Sequence, residues 1–465
     1  MARLGTSERP LRVAIVGAGP AGLYAAQALL DQPDLVLTID VLNRFPTPFG
    51  LVRDGVAPDH QSIKAVTRVL DRTLADPRVR FFGNVTFGVD LHHHDLKRFY
   101  DQIVYAVGAQ ADRRMSIPGE DLPNSLAALA FVGWYNGHPD YRDLEVDLDC
   151  ERAVVVGNGN VAMDVTRMLV RSCDELARTD IADHALEALR ASRIREVVML
   201  GRRGAAQASF TTPELRELGK LEGVGVAVDP ADIELDPASR AGIEHDRTAK
   251  ANLRHLQDYA ARAAATAPRR ITLRFLASPV EVLGSNGRIE AVRIERNELV
   301  VDPNGGLRSK GTGQLEVIEA GLVLRSIGYR TVPIEGVPFD PATSTINNIA
   351  GQIAHPSTGE VTPGEYVAGW AKRGPTGRIG NNKPDSASTV AAMVADLPTL
   401  KGVRDDHRDP AKVEALLRRR GIDYASYADW RVLDAYEVAL GATHGRPRVK
   451  VCGVPEMLEI IRRDR

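Results

Sequence analysis

Short runs of β-branched and apolar residues that stop at a glycine, then give way to apolar residues at helical spacing, recur along this chain and predict alternating strands and helices. The first passes through Val13-Ala14-Ile15-Val16 into Gly17-Ala18-Gly19-Pro20-Ala21-Gly22. A helix over 21–30 and a second strand over 35–42 follow, which makes a βαβ opening. Ala153-Val154-Val155-Val156 repeats the design, leading into Gly157-Asn158-Gly159-Asn160-Val161-Ala162, with its second strand at 197–200. The extra chain between, 172–192, reads as an inserted helix. Two further segments, 101–109 and 321–329, are strands that break at a glycine and frame the second copy, so that copy is expected to be inserted into the first. Alternating runs at 271–283 and 288–300, around Gly284-Ser285-Asn286-Gly287, predict an antiparallel hairpin. Residues 365–370 form another short strand, and 411–419 and 430–440 are helices in an arginine-rich tail. The run Phe45-Pro46-Thr47-Pro48-Phe49-Gly50-Leu51-Val52-Arg53 cannot be a regular element and is expected to be a loop laid on something.

Each glycine run meets a stated physical need. The first glycine makes the tight turn, the second lets backbone approach a pyrophosphate, and the third position must be small so that the helix packs on the strand. The diphosphate then rests on the helix N-terminus. Two copies in strand-to-helix context imply two bound dinucleotides and an α/β fold with two Rossmann-like domains. Binding is expected at Gly17, Gly19, Pro20, Ala21 and Gly22, and at Gly157, Asn158, Gly159, Asn160 and Val161. The residue after the second strand selects the ribose: an acid takes a 2′-hydroxyl, whereas arginine accommodates a 2′-phosphate. In the second copy that strand runs into Gly201-Arg202-Arg203, so NADP(H) is favoured over NAD(H). In the first copy Asn43 stands where an acid is expected. Asp40 lies an odd number of positions away and points to the other face.

Composition changes the picture little. The 465 residues are 44% hydrophobic and 26% charged with a net charge of −2, so an ordinary globular protein with no nucleic-acid partner is expected. No run is apolar enough to span a membrane and the N-terminal residues are polar, which points to the cytoplasm. Cys150, Cys173 and Cys452 lie far apart, which excludes a C-x-x-C redox centre and a four-cysteine cluster. His92-His93-His94 offers ligand atoms, but adjacent turn positions do not converge, so a solvated loop and no metal is the expectation.

The chain resembles the adrenodoxin reductase family of NADPH–ferredoxin reductases, in its bacterial ferredoxin/ferredoxin–NADP reductase branch. The resemblance is carried by Pro46-Thr47-Pro48-Phe49-Gly50-Leu51-Val52-Arg53, Gly55-Val56-Ala57-Pro58-Asp59-His60, Phe131-Val132-Gly133-Trp134-Tyr135-Asn136, Gly201-Arg202-Arg203, Phe210-Thr211 through Glu214, Gly369-Trp370, Lys372-Arg373-Gly374-Pro375-Thr376-Gly377 and Gly445-Arg446-Pro447-Arg448. It implies an FAD domain in two parts, 1–108 and 329–465, with an NADP domain, 109–328, inserted. It implies that Leu51, Val85, Trp370, Gly377, Arg378 and Ile379 contact FAD, and that Arg113, Asn158 to Val161, Arg202, Arg203 and Glu214 contact NADP(H); Asn43, by its place after the second strand, is the expected ribose contact of the FAD. Asn43 and Arg378 depart from the family's usual acid and small or apolar residue.

The same resemblance implies hydride transfer from NADPH to FAD and single electrons onward to a ferredoxin-type iron–sulfur protein; a monomer is expected. His60 and Glu214 are the candidate catalytic groups near the nicotinamide. Lys372, Arg373 and the tail cations are candidates for a face that docks an acidic ferredoxin. Alternatives are an NADPH-dependent flavin monooxygenase, which needs an enclosed apolar substrate pocket, and a non-catalytic sensor of FAD and NADP redox state.

Overall fold

Every residue of the strand Leu11–Val16 is buried, as a central parallel strand covered on both faces requires. In this computed structural model, which describes residues 3–262, 267–303 and 305–463, the chain divides into two units, Met1–Ala111 with Gly328–Arg465, and Asp112–Ile327. The first is built on a seven-stranded sheet in the order Asn348–Ile349, Gln352–Ala354, Val361–Val367, Gln102–Tyr105, Leu11–Val16, Leu37–Leu42, Val79–Phe82. Its last five strands run parallel. Leu11, Val13 and Ile15 face a core shared with the helices Pro20–Leu30 and Asn382–Asp396 and with Trp430, Leu433 and Met457 of the tail. Ala14 and Val16 face the opposite core, with Phe82, Tyr105 and Leu417. The strand period of two makes this division.

The second unit holds a six-stranded parallel sheet in the order Ser125–Ala127, Leu322–Arg325, Arg152–Val156, Glu196–Leu200, Arg269–Arg274, Val224–Val228. Beside it lies a three-stranded antiparallel sheet, Ala277–Ser285, Arg288–Val301 and Leu307–Glu319. Among the described residues no helix is long and apolar enough to cross a membrane.

Several elements differ from expectation. The run 271–283 is two strands, because Leu276 takes φ +53° and its N–H donates to the Arg203 carbonyl, ending one sheet and starting the other. The segment 172–192 holds two helices, Cys173–Leu176 and Asp183–Ala191. The proline-rich run closes in a helical turn, Leu51–Asp54. The histidine triplet is no solvated loop: the His92 N–H donates to Asp95 Oδ2 at 2.9 Å at the start of the helix His93–Phe99, and His93 Nε2 lies 2.9 Å from the buried Glu365.

Candidate functional site

Both glycine turns sit at the carboxyl end of a central strand, where the neighbouring strands on either side connect in opposite directions along the sheet, the usual ligand crevice of a doubly wound fold. Gly17 has φ +111°, and a Cβ there would lie 2.4 Å from the Ala106 carbonyl oxygen, just past the adjacent strand. Gly157 has φ +129°, and its Cβ would lie 2.1 Å from the Ser326 oxygen in the matching place. Gly19 and Gly159 face open space, with nothing within 4 Å of an added Cβ. At the third position a Cβ on Gly22 would stand 2.1 Å from the Gly17 oxygen, whereas Ala162, fully buried, fits in the second copy. The helices Pro20–Leu30 and Asn160–Val170 start without a side-chain cap and without an acid in the first turn, which suits an anion at each positive dipole end. Tight turn, open second position and close helix packing are therefore present twice, and the residues fit two dinucleotides.

In the first unit the proline-rich loop lies on the glycine turn. The Phe49 N–H donates to the Ala18 carbonyl at 2.9 Å, and a Cβ on Gly50 would be 3.1 Å from Gly19 Cα. Asn43 fastens the two: its Oδ1 accepts from the Ala18 N–H at 3.2 Å while its amide donates to the Phe45 and Thr47 carbonyls, each at 2.9 Å. The Val85 N–H donates to the Asn43 carbonyl, also at 2.9 Å, so those two positions meet through backbone while the Val85 side chain stays in the core. Leu51 opens the helical turn. Asp40 is buried on the opposite face, bound by Arg12, Arg80 and the Tyr100 hydroxyl. Burial first, then the Asp40 charge, push that phenol well above its ordinary pKa.

Trp370 follows Gly369 and donates from Nε1 to the Thr376 carbonyl at 3.2 Å, with its ring 5.8 Å from that of Tyr329. Gly377 takes φ +82°, Ile379 packs on the core and Arg378 is exposed, so the large side chain is accommodated by facing solvent. Lys372 and Arg373 are not free surface cations. Lys372 Nζ lies 3.3 Å from Asp385 and donates to Thr389, and Arg373 donates to Asn382 at 3.1 Å, because both cover the start of the helix after the loop. His60 precedes the helix Gln61–Lys64, half-buried, with its N–H on the Ala57 carbonyl at 3.0 Å.

In the second unit Arg202 and Arg203 follow the strand beside the glycine turn, as expected. Their backbone is pinned by Asn297, which donates to the Arg202 carbonyl at 2.8 Å, and by Leu276 at Arg203. Arg202 is exposed and Arg203 half-buried, and neither guanidinium has an ion-pair partner among the described residues. Arg113 is likewise exposed. The Asn158 carbonyl accepts from Ser209 and Asn160 Oδ1 from Thr211, so the turn holds the start of the helix Thr212–Leu218, while Val161 lies in the first turn beyond. Glu214, in the first turn of Thr212–Leu218, accepts from Arg167 at 3.2 Å. Arg167 is fully buried and also meets Asp164 and Glu217, a role that sequence reasoning missed although Asp164 and Arg167 stand at i,i+3 on the glycine-turn helix.

Residues 11–211 match the family described as pyridine nucleotide-disulphide oxidoreductase. The chain is 47% identical to the NADPH-ferredoxin reductase FprA of Mycobacterium tuberculosis, over 97% of this chain and 99% of that one. The chain belongs to the adrenodoxin reductase-like NADPH–ferredoxin reductase family. A second family member, the mitochondrial NADPH:adrenodoxin oxidoreductase of Salvelinus fontinalis, is 40% identical over 97% of this chain and 91% of its own. The solved structure of M. tuberculosis FprA in complex with NADPH superposes with a TM-score of 0.92, covering 97% of this chain and all of that one. The reductase fold, an α/β architecture with two parallel sheets, is thus that of its relatives.

Proposed function

We propose that this chain is an NADPH–ferredoxin reductase that binds FAD in the first unit and NADP(H) in the second. The observation that carries the reading is the doubled cradle, each copy at the carboxyl end of parallel strands in its own sheet, with the pair Arg202 and Arg203, neither ion-paired among the described residues, just past the strand next to the second. Full-length similarity to FprA supports it. A bound flavin supplies the step between a two-electron donor and a one-electron acceptor. This chain's residues supply the rest: the glycine turns seat each diphosphate, the arginine pair selects the 2′-phosphate, and Asn43 keeps the flavin loop on its turn. Asn43, Leu51, Val85, Trp370 and 377–379 are the proposed FAD contacts, and Arg113, 157–161, Arg202 and Arg203 those of NADP(H). His60 and Glu214 are the proposed groups that orient the nicotinamide or move a proton there. The partner is a ferredoxin-type iron–sulfur protein, and the enzyme works as a cytoplasmic monomer. Anaerobic titration tests the reading: the protein is expected to be yellow, to hold about one FAD per chain and to bleach with NADPH far more readily than with NADH. Protein that stays colourless when FAD is supplied overturns it.

A further inference from the structure

The arginine-rich tail reaches the flavin loop through buried charge. Arg53, the last residue of the proline-rich run, is 6% exposed and forms a two-pronged ion pair with Glu437, at 2.8 and 2.6 Å. Glu437 is fully buried, and it also accepts from Arg448 at 3.0 Å and from the Val451 N–H at 2.9 Å. From the same segment Lys450 Nζ, itself 6% exposed, donates to the Arg53 carbonyl at 3.0 Å. Trp430 fills the space between, its ring 5.8 Å from Phe49 edge-to-face and 5.4 Å from the Arg53 guanidinium. Burial opposes charge on Glu437, but Arg53 outweighs it and holds the carboxylate below its ordinary pKa.

The other end of the held segment is strained. Phe49 takes φ +80°, a region that side-chain-bearing residues rarely adopt, and Gly50 follows at φ +48°. Such a conformation persists only where its surroundings over-determine it. Here the Ala18 carbonyl holds it from the front, and Trp430 and the Arg53 ion pair hold it from behind.

We propose that the C-terminal tail is a clamp that positions the flavin loop: Glu437 and Lys450 fix Arg53, and thereby hold Phe49 and Gly50 against the glycine turn in the conformation that admits FAD. The tail residues are positioning residues and do not touch the cofactor's reacting atoms. The inference rests on FAD being bound by the first unit. It is tested on full-length holoenzyme carrying Glu437→Gln or Lys450→Met. FAD release is followed by recovery of flavin fluorescence on dilution, and NADP+ affinity is measured on the same samples. At least tenfold faster release in each variant is expected, with the NADP+ dissociation constant within twofold of the parent. Release within twofold of the parent in both variants overturns the clamp, and so does a parallel loss of NADP+ binding, which a general loss of structure would give. Should Glu437→Gln fail to fold, Lys450→Met decides alone, since it leaves the ion pair intact. A parent protein that holds no FAD counts against the flavin assignment itself and leaves no release to compare.

Discussion

Arg202 is exposed and Arg203 half-buried, and what sets them apart is where their backbone is fixed. With Asn297 and Leu276 pinning their carbonyls, both residues are fixed just past the strand that neighbours the second glycine turn. Charge-assisted hydrogen bonds contribute about 1.5–3 kcal/mol each, which is roughly ten- to a hundredfold in affinity per residue. Replacing either by alanine is therefore expected to raise the KM for NADPH by about that factor and leave the KM for NADH nearly unchanged. Equal losses for both cofactors would make the pair structural. His60 and Glu214 differ in how they are held: Glu214 is tied to the fully buried Arg167, whereas His60 starts a short helix. His60→Ala or Glu214→Ala is expected to leave FAD content intact while changing the rate of flavin reduction by NADPH or its pH profile, followed by stopped flow across the neutral range. Profiles superimposable on the parent would remove them from the mechanism. Asn43 shows what a single position hides from sequence. As a replacement for an acid it reads as a weakened ribose contact, yet its amide makes three bonds that join turn to loop, and nothing in the residue string places Ala18, Phe45 and Thr47 around it.

At the scale of the element, the glycine turn allows a test that separates packing from ligand binding. A methyl on Gly22 would meet the backbone oxygen of Gly17, which cannot swing away, so Gly22→Ala is expected to destabilise the protein by about 1–3 kcal/mol in thermal or denaturant unfolding. Gly19→Ala meets no protein atom and is expected to leave apoprotein stability within about 1 kcal/mol while weakening FAD binding, because the methyl occupies the approach to the turn. A large stability loss at Gly19 would refute the open second position. These turns, their strands and the arginine pair were legible in sequence because local chemistry dictates them: a β-branched run, a forced positive φ, a small third residue. What was not legible depended on contacts far along the chain. The run 271–283 reads as one strand although Phe275-Leu276-Ala277 interrupts its alternation, and bonds from Leu276 N–H to Arg203 and from Ala277 N–H to Gly201 mark its division between two sheets. The tail from about 400 to 465 reads as helical, and the helix Tyr427–Thr443 was visible over most of its length, whereas Val454–Arg463 lies in that stretch without bounds legible from sequence. Lys372 and Arg373 looked like docking cations because their partners, Asp385 and Asn382, lie in the next helix and are reached only after the loop folds back.

For the molecule as a whole, the tail carries its own acid sensitivity. Removing Glu437 leaves buried Arg53 with only Asp54, 3.6 Å from its Nε, as counter-charge, and breaking a buried pair costs up to about 3–5 kcal/mol, so Glu437→Ala is expected to lower the melting temperature markedly. Because the folded-state pKa of Glu437 is depressed, its contribution is complete above the unfolded-chain value and is lost as pH falls through the lower folded value. The parent should therefore lose stability below about pH 4, and Glu437→Gln should show a shallower acid limb in urea melts; identical limbs would exclude this carboxylate as a source of acid sensitivity. The parallel sheet of the first unit has a further consequence. Its strand Gln102–Tyr105 pairs with Val361–Val367 in the register Ile103 to Glu365, so the second partner is translated long after the first. As the chain leaves the ribosome, the strand Gln102–Tyr105, paired on one side with Leu11–Val16, lacks its other partner while the whole of Asp112–Ile327, a continuous stretch, is synthesised. Vectorial synthesis thus makes the whole inserted unit available before residues 430–451, which build the proposed flavin-loop clamp.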